Sequence, residues 1–114
     1  MLTIEKLNEF GANTEEGLAR CYGNEALYLR LVKMMAADDH FESLEKALGN
    51  NDLNGAFEAA HALKGVLGNL SLTPMYEKSS EITELLRAHT ETDYSPLLSE
   101  LLSQREKLIE ICAD

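Results

Sequence analysis

Apolar residues recur at helical spacing along nearly the whole chain, and the strict alternation of a half-buried strand is rare. Leu2, Ile4, Leu7 and Phe10 predict a short first helix that stops at Gly11. Thr14 reads as the N-cap of a second short helix running to Tyr22 and closed by Gly23. Asn24 caps the next segment. There Leu27, Leu31, Met34 and Met35 share one face and Leu29 and Val32 another, the pattern of a helix with two neighbours. Asp38-Asp39-His40 bends or restarts that helix, and Phe41, Leu44 and Leu48 carry its stripe to a turn at Gly49-Asn50-Asn51. Asn51 or Asp52 then caps a long helix to about Ser71, with Leu53, Ala56, Ala60, Leu63, Leu67 and Leu70 facing inward. Thr73-Pro74 is a restart signal, a capping hydroxyl followed by proline in the first turn. Met75, Ser79, Ile82, Leu85 and Leu86 point that helix inward until about His89. Asp93 opens the last helix, whose packing residues are Leu97, Leu98, Leu101, Leu102, Leu108, Ile109 and Cys112.

Four substantial helices on short connections must run antiparallel to their neighbours. The expected fold is all-α: an antiparallel up-down-up-down four-helix bundle over residues 24–112. Short N-terminal capping helices fill residues 1–23, and residues 1–114 form one domain.

Composition narrows the function classes. At 114 residues and 45% apolar, the chain can bury a core without disulfide staples. A net charge of −10 repels nucleic acid and anionic membrane surfaces, so neither is an expected partner. No apolar run is long enough for a bilayer, and Met1-Leu2-Thr3-Ile4-Glu5-Lys6 lacks the layout of a secretory signal. A cytoplasmic monomer is expected. Cys21 and Cys112 lie far apart and need no role beyond reduced thiols.

The chemistry gathers on the helix from Asp52 to Ser71. His61 sits beside its buried stripe. Around the helix axis from His61, Lys64 lies at about −60°, Phe57 at about −40°, Gly68 at about −20° and Gly65 at about +40°. A cation, an aromatic ring and two residues without side chains therefore surround one imidazole. Each glycine costs about 1 kcal/mol against alanine inside a helix, so two in consecutive turns need a reason. They bare the surface beside His61 to a bulky partner, while Lys64 supplies positive charge. A docking surface follows: Phe57, Gly65 and Gly68 near its centre, with Asn54, Glu58 and Lys64 around it. Taken singly, a helical histidine is an ordinary boundary residue, helix glycines serve close packing and Phe57 belongs to a core. Their joint placement on one sector argues for function.

Ala60-His61-Ala62-Leu63-Lys64-Gly65, followed by Gly68-Asn69-Leu70, resembles the motif of histidine-containing phosphotransfer (HPt) domains. Those carry a His, a Lys three residues on and a Gly after it, within the second long helix of a four-helix bundle. Glu16-Gly17-Leu18 and Gly23-Asn24-Glu25-Ala26-Leu27-Tyr28 are similar to the family's helical lead-in. The resemblance runs from about Leu7 to Cys112. It implies that His61 is the phosphoacceptor, that Lys64 holds phosphoryl oxygens, and that Gly65 and Gly68 admit the partner. It also implies a polar residue on the next helix near the phosphohistidine; Thr83 falls there and joins the docking surface, with Ser79 and Ser80 as rivals. Two departures stand out. The family's further glycine, ten residues after the histidine, is Ser71 here, and the small residues after its first glycine are Val66 and Leu67.

The implied partners are response-regulator receiver domains and a hybrid sensor histidine kinase. The implied chemistry is reversible transfer between a receiver aspartate and His61, with Mg²⁺ on the receiver and no cofactor or metal on this chain. Such a carrier positions a nucleophile and is not itself an enzyme. No kinase core or glycine-rich ATP loop lies in the sequence, and a free-standing carrier is expected. Two rivals belong to other classes. Glu58-Ala59-Ala60-His61 has the Glu-x-x-His spacing of di-iron bundles, but neither His40 nor His89 supplies the second pair. A helical adaptor would use the same bundle to bind a partner without phosphotransfer.

Overall fold

A computed structural model describes residues 1–113 as helices and turns. Seven helices occur among the described residues: α1 (Ile4–Phe10), α2 (Thr14–Arg20), α3 (Glu25–Ala36), α4 (His40–Gly49), α5 (Leu53–Asn69), α6 (Thr73–Arg87) and α7 (Ser95–Cys112). Helix α5 packs between α4 and α6, α7 packs on α6, and α3 closes against α7. The turns on both sides of α5 are three residues long, 50–52 and 70–72, so the expected helical bundle forms. The first of its four layers is split: α3 and α4 are separate helices, broken at Ala37–Asp39. There the Asp38 carboxylate accepts the His40 amide at 2.7 Å and restarts the helix.

The core draws on six of the helices, with half-buried Leu18 of α2 packed against it. Leu7, Tyr28, Val32, Phe41, Leu44, Leu63, Leu67, Met75, Ile82, Leu101 and Leu108 are fully enclosed. On α3 the buried face is Tyr28, Val32, Met35 and Ala36, whereas the expected Met34 is 63% exposed. Spacings of four and three residues fit both sets; the tyrosine decides between them. Its ring fills the space over Gly17, where an added Cβ would lie 2.5 Å from the ring. Its hydroxyl donates to the Leu70 carbonyl at 2.8 Å.

Three expected caps moved by a residue, and the fourth fell on one of its two expected positions. Asn13, not Thr14, accepts the Glu16 amide of α2, and the buried Thr14 hydroxyl donates to Asn8 at 2.6 Å. Asp52, one of the two expected residues, caps α5 through the Gly55 amide at 3.0 Å. Leu72 occupies the N-cap of α6, where Thr73 is already helical. Tyr94 occupies that of α7, with Asp93 holding the Ser95 amide at 2.9 Å. Helix α5 ends at Asn69 in a Schellman turn: the Leu72 amide bonds Leu67 O and the Ser71 amide bonds Gly68 O. Ser71 takes the left-handed conformation there, with φ 56°.

Arg105 was not anticipated as an inward residue. Its Nε donates to the Ala36 carbonyl at 3.0 Å, so it satisfies the end of α3. Its guanidinium also lies 4.6 Å from the Phe41 ring centroid and pairs with Glu42 at 2.8 Å.

Candidate functional site

Helix α5 presents His61 to solvent while Ala60 and Leu63 on either side are buried. The imidazole lies parallel to the Phe57 ring one turn earlier, 5.6 Å between centroids and 9° between planes. Phe57 is itself half-buried, and the Arg87 guanidinium of α6 lies 5.2 Å from its centroid. A stacked, partly buried ring restricts how the imidazole can turn.

Lys64 is on the same side as His61, as the wheel predicts, and both line one open cleft of ≈ 520 Å³. The ammonium is not free: Nζ donates to Glu84 Oε1 at 3.2 Å. The other oxygen of Glu84 accepts from Arg87 Nε at 3.2 Å. One carboxylate thus bridges two cations beside the histidine. The Lys64 hydrogen bond, aided by the charge of Arg87, holds the Glu84 carboxyl below its ordinary range, so it stays ionised at rest.

The two glycines differ. A Cβ on Gly65 would meet nothing within 4 Å, so no internal packing explains that glycine. A Cβ on Gly68 would lie 3.0 Å from the Tyr76 ring, so part of the reason for Gly68 is contact with α6. Asn54 and Glu58 are exposed on α5 as expected. Thr83 is not on a docking surface: it is 0% exposed, and its hydroxyl donates to the Ser79 carbonyl at 2.6 Å. The outward polar residue next to it is Glu84, one position on. Ser79 is fully buried as well.

Ser71 stands where the resemblance places a further glycine. It is 6% exposed and occupies the left-handed turn position, which favours glycine for backbone reasons. Serine there leaves a buried hydroxyl oxygen without a partner among the described residues.

Arg20 was missed by sequence reasoning. It reaches from α2 to the same cleft and donates to the Asn69 side chain at 3.3 Å. Nothing in the periodicity of α2 points to α5, because the two lie 49 residues apart in sequence. Glu58 and His61 are both exposed, and no group of three candidate metal ligands lies together among the described residues.

The family model for the Hpt domain matches residues 32–111. The chain belongs to the Hpt domain family. Hpt domains are histidine phosphotransfer modules of phosphorelays, and the matched segment holds His61, Lys64, Gly65 and Gly68. The match begins within α3, so α1, α2 and the lead-in up to Tyr28 lie outside it. Searches of curated proteins and of solved structures found no match. No helix among the described residues is long and apolar enough to cross a membrane.

Proposed function

We propose that His61 accepts a phosphoryl group from a receiver-domain aspartate and passes it to a second receiver in a two-component phosphorelay. The observation that carries this reading is an exposed imidazole in a cleft it shares with Lys64, beside a glycine that nothing inside the protein requires. An unprotonated ring nitrogen of His61 attacks phosphorus in line. Its lone pair forms the N–P bond while the bond from phosphorus to the aspartate oxygen breaks. The aspartate leaves as a carboxylate with that electron pair, and the proton stays on the other ring nitrogen. Delivery to the next receiver runs the same steps backwards.

Phe57 supports the imidazole face during this transfer, and Lys64 turns from Glu84 toward the incoming oxygens. A lysine suits that task because a point charge on a flexible stem tolerates a moving phosphoryl group. Mg²⁺ on the partner receiver neutralises charge on the phosphoryl oxygens. This chain supplies a positioned nucleophile and no catalysis of its own. The reading takes the carrier as a cytoplasmic monomer, fed by a hybrid sensor histidine kinase.

The test is incubation with a radiolabelled phosphoreceiver. Label should move to the wild-type chain and not to H61Q. Stable binding with no transfer would leave only the adaptor reading.

A further inference from the structure

We propose that Arg20 is a docking residue that engages a carboxylate on the partner receiver, at the end of the cleft away from His61. The proposal rests on the carrier reading above. Its starting point is the shape of the cleft, which runs along α5 from His61 past Gly65 and Gly68 to Asn69 and is closed at the far end by α2. His61 and Asn69 are eight residues apart, which is about 12 Å along a helix. Arg20 is held at Asn69, at the far end of the cleft from His61. What it can reach is the rim of whatever sits in the cleft.

The guanidinium is held at both terminal nitrogens and the side chain is still half exposed. Its NH2 group pairs with Glu16 at 2.8 Å, and its NH1 donates to Asn69 at 3.3 Å. Helix α2 is tied in turn to the end of α5. The Asn13 amide donates to the Ser71 carbonyl at 2.9 Å, and Gly17 seats Tyr28, whose hydroxyl holds Leu70. A guanidinium carried on so fixed a base loses little freedom when it takes up a partner.

Charge identifies the occupant. The chain carries −10 overall, yet Arg20 and Lys64 in the cleft and Arg87 beside them stand against two carboxylates, Glu16 and Glu84. A locally positive cleft on an acidic protein selects an acidic surface and discourages others. The planar fork of Arg20 matches a carboxylate in particular. Because α2 lies outside the segment that the family model matches, Arg20 adds a contact to the shared acceptor helix.

The experiment measures phosphotransfer from a phosphorylated receiver to the wild-type chain, R20A, R20K and R20E, against receiver concentration and salt. All four must first show the same helical circular dichroism. R20E is expected to raise the half-saturating receiver concentration about tenfold, R20A less, with the saturated rate within about twofold of wild type. R20K should recover part of the loss, and R20A should show a shallower salt dependence than wild type. A lysine or arginine placed on the complementary receiver carboxylate should restore transfer to R20E. Wild-type half-saturation and salt dependence in R20E, or a fall in the saturated rate alone, would overturn the role of Arg20 and leave the carrier reading intact. If R20E and R20A lose helical structure, R20Q and R20K decide: wild-type half-saturation in R20Q overturns the proposal, and a raised half-saturation that R20K partly recovers supports it. A wild-type chain that takes no label would overturn both.

Discussion

Gly65 gives the clearest separation of stability from function. It stands inside α5, four residues before the helix ends, and an added Cβ meets nothing within 4 Å. Alanine there loses no contact and gains helix propensity, about 0.8–1 kcal/mol. For a chain of 114 residues the unfolding entropy near the melting point is about 0.24 kcal/mol per degree, so G65A should raise the melting temperature by about 4 °C. Transfer should fall, because the methyl group stands on the bared surface beside His61. G65Q extends the test: glutamine is also a good helix former, and its long side chain should slow transfer about tenfold or more while the fold stays at least as stable as wild type. Urea titration and radiolabelled transfer measure the two arms. A destabilised G65A would mean that the glycine serves internal packing. G65Q transferring at the wild-type rate would mean that the open backbone is not there for a partner. At Gly68 the stability gain should be smaller or absent, since the Tyr76 ring must move aside.

Removing the Tyr28 hydroxyl strands the Leu70 carbonyl, so Y28F should cost about 1–2 kcal/mol at neutral pH by denaturant titration. Burial, with a smaller contribution from Cys21, pushes the Tyr28 hydroxyl up to about 12, whereas an unfolded tyrosine titrates near 10. The neutral ring therefore favours the folded state fully below about pH 10. That contribution is lost toward pH 12 by roughly 1.4 kcal/mol per pH unit, a slope Y28F should lack. Tyr94, also raised by burial, leaves a weaker slope in both proteins. E84Q releases Lys64 from its carboxylate and should shift the phosphotransfer equilibrium toward phosphohistidine by about two- to fivefold, read from label at equilibrium. An unchanged or reversed equilibrium would mean that Lys64 does not serve the phosphoryl group. R105M should cost about 1–3 kcal/mol through the abandoned Ala36 carbonyl. It should also flatten the acid limb of the stability curve. Arg105 holds the Glu42 carboxyl below its ordinary range, so that contribution is present above the ordinary carboxylate pKa and lost as pH falls through the lowered one.

Helix positions were legible because burial repeats at helical spacing, and the stripe from Leu53 to Leu70 reads directly as the inner face of α5. The wheel likewise set His61 outward with Lys64 beside it. The ends of α4, α5 and α6 were legible to within two residues, although left-handed Asn51, Ser71 and His89 stand there in place of the usual glycine. Helix starts were less legible, because the caps of α2, α6 and α7 fall one residue from the expected polar ones. Thr83 failed as a surface residue because a threonine can satisfy its hydroxyl on the carbonyl four residues back and turn inward. Phe57 was placed on the acceptor face, but its partners were hidden: Arg87 comes from another helix. Glu84 and Arg20 were invisible for the same reason, since they matter only through residues 20 and 49 positions away.

The central claim concerns one atom type on one side chain. After exposure to a phosphorylated receiver, peptide mapping by mass spectrometry at neutral to alkaline pH should find a single phosphoryl group, on the peptide bearing His61, and acid should remove it. A phosphoryl group on His40, His89 or a hydroxyl residue instead, or none on any peptide, would contradict the account.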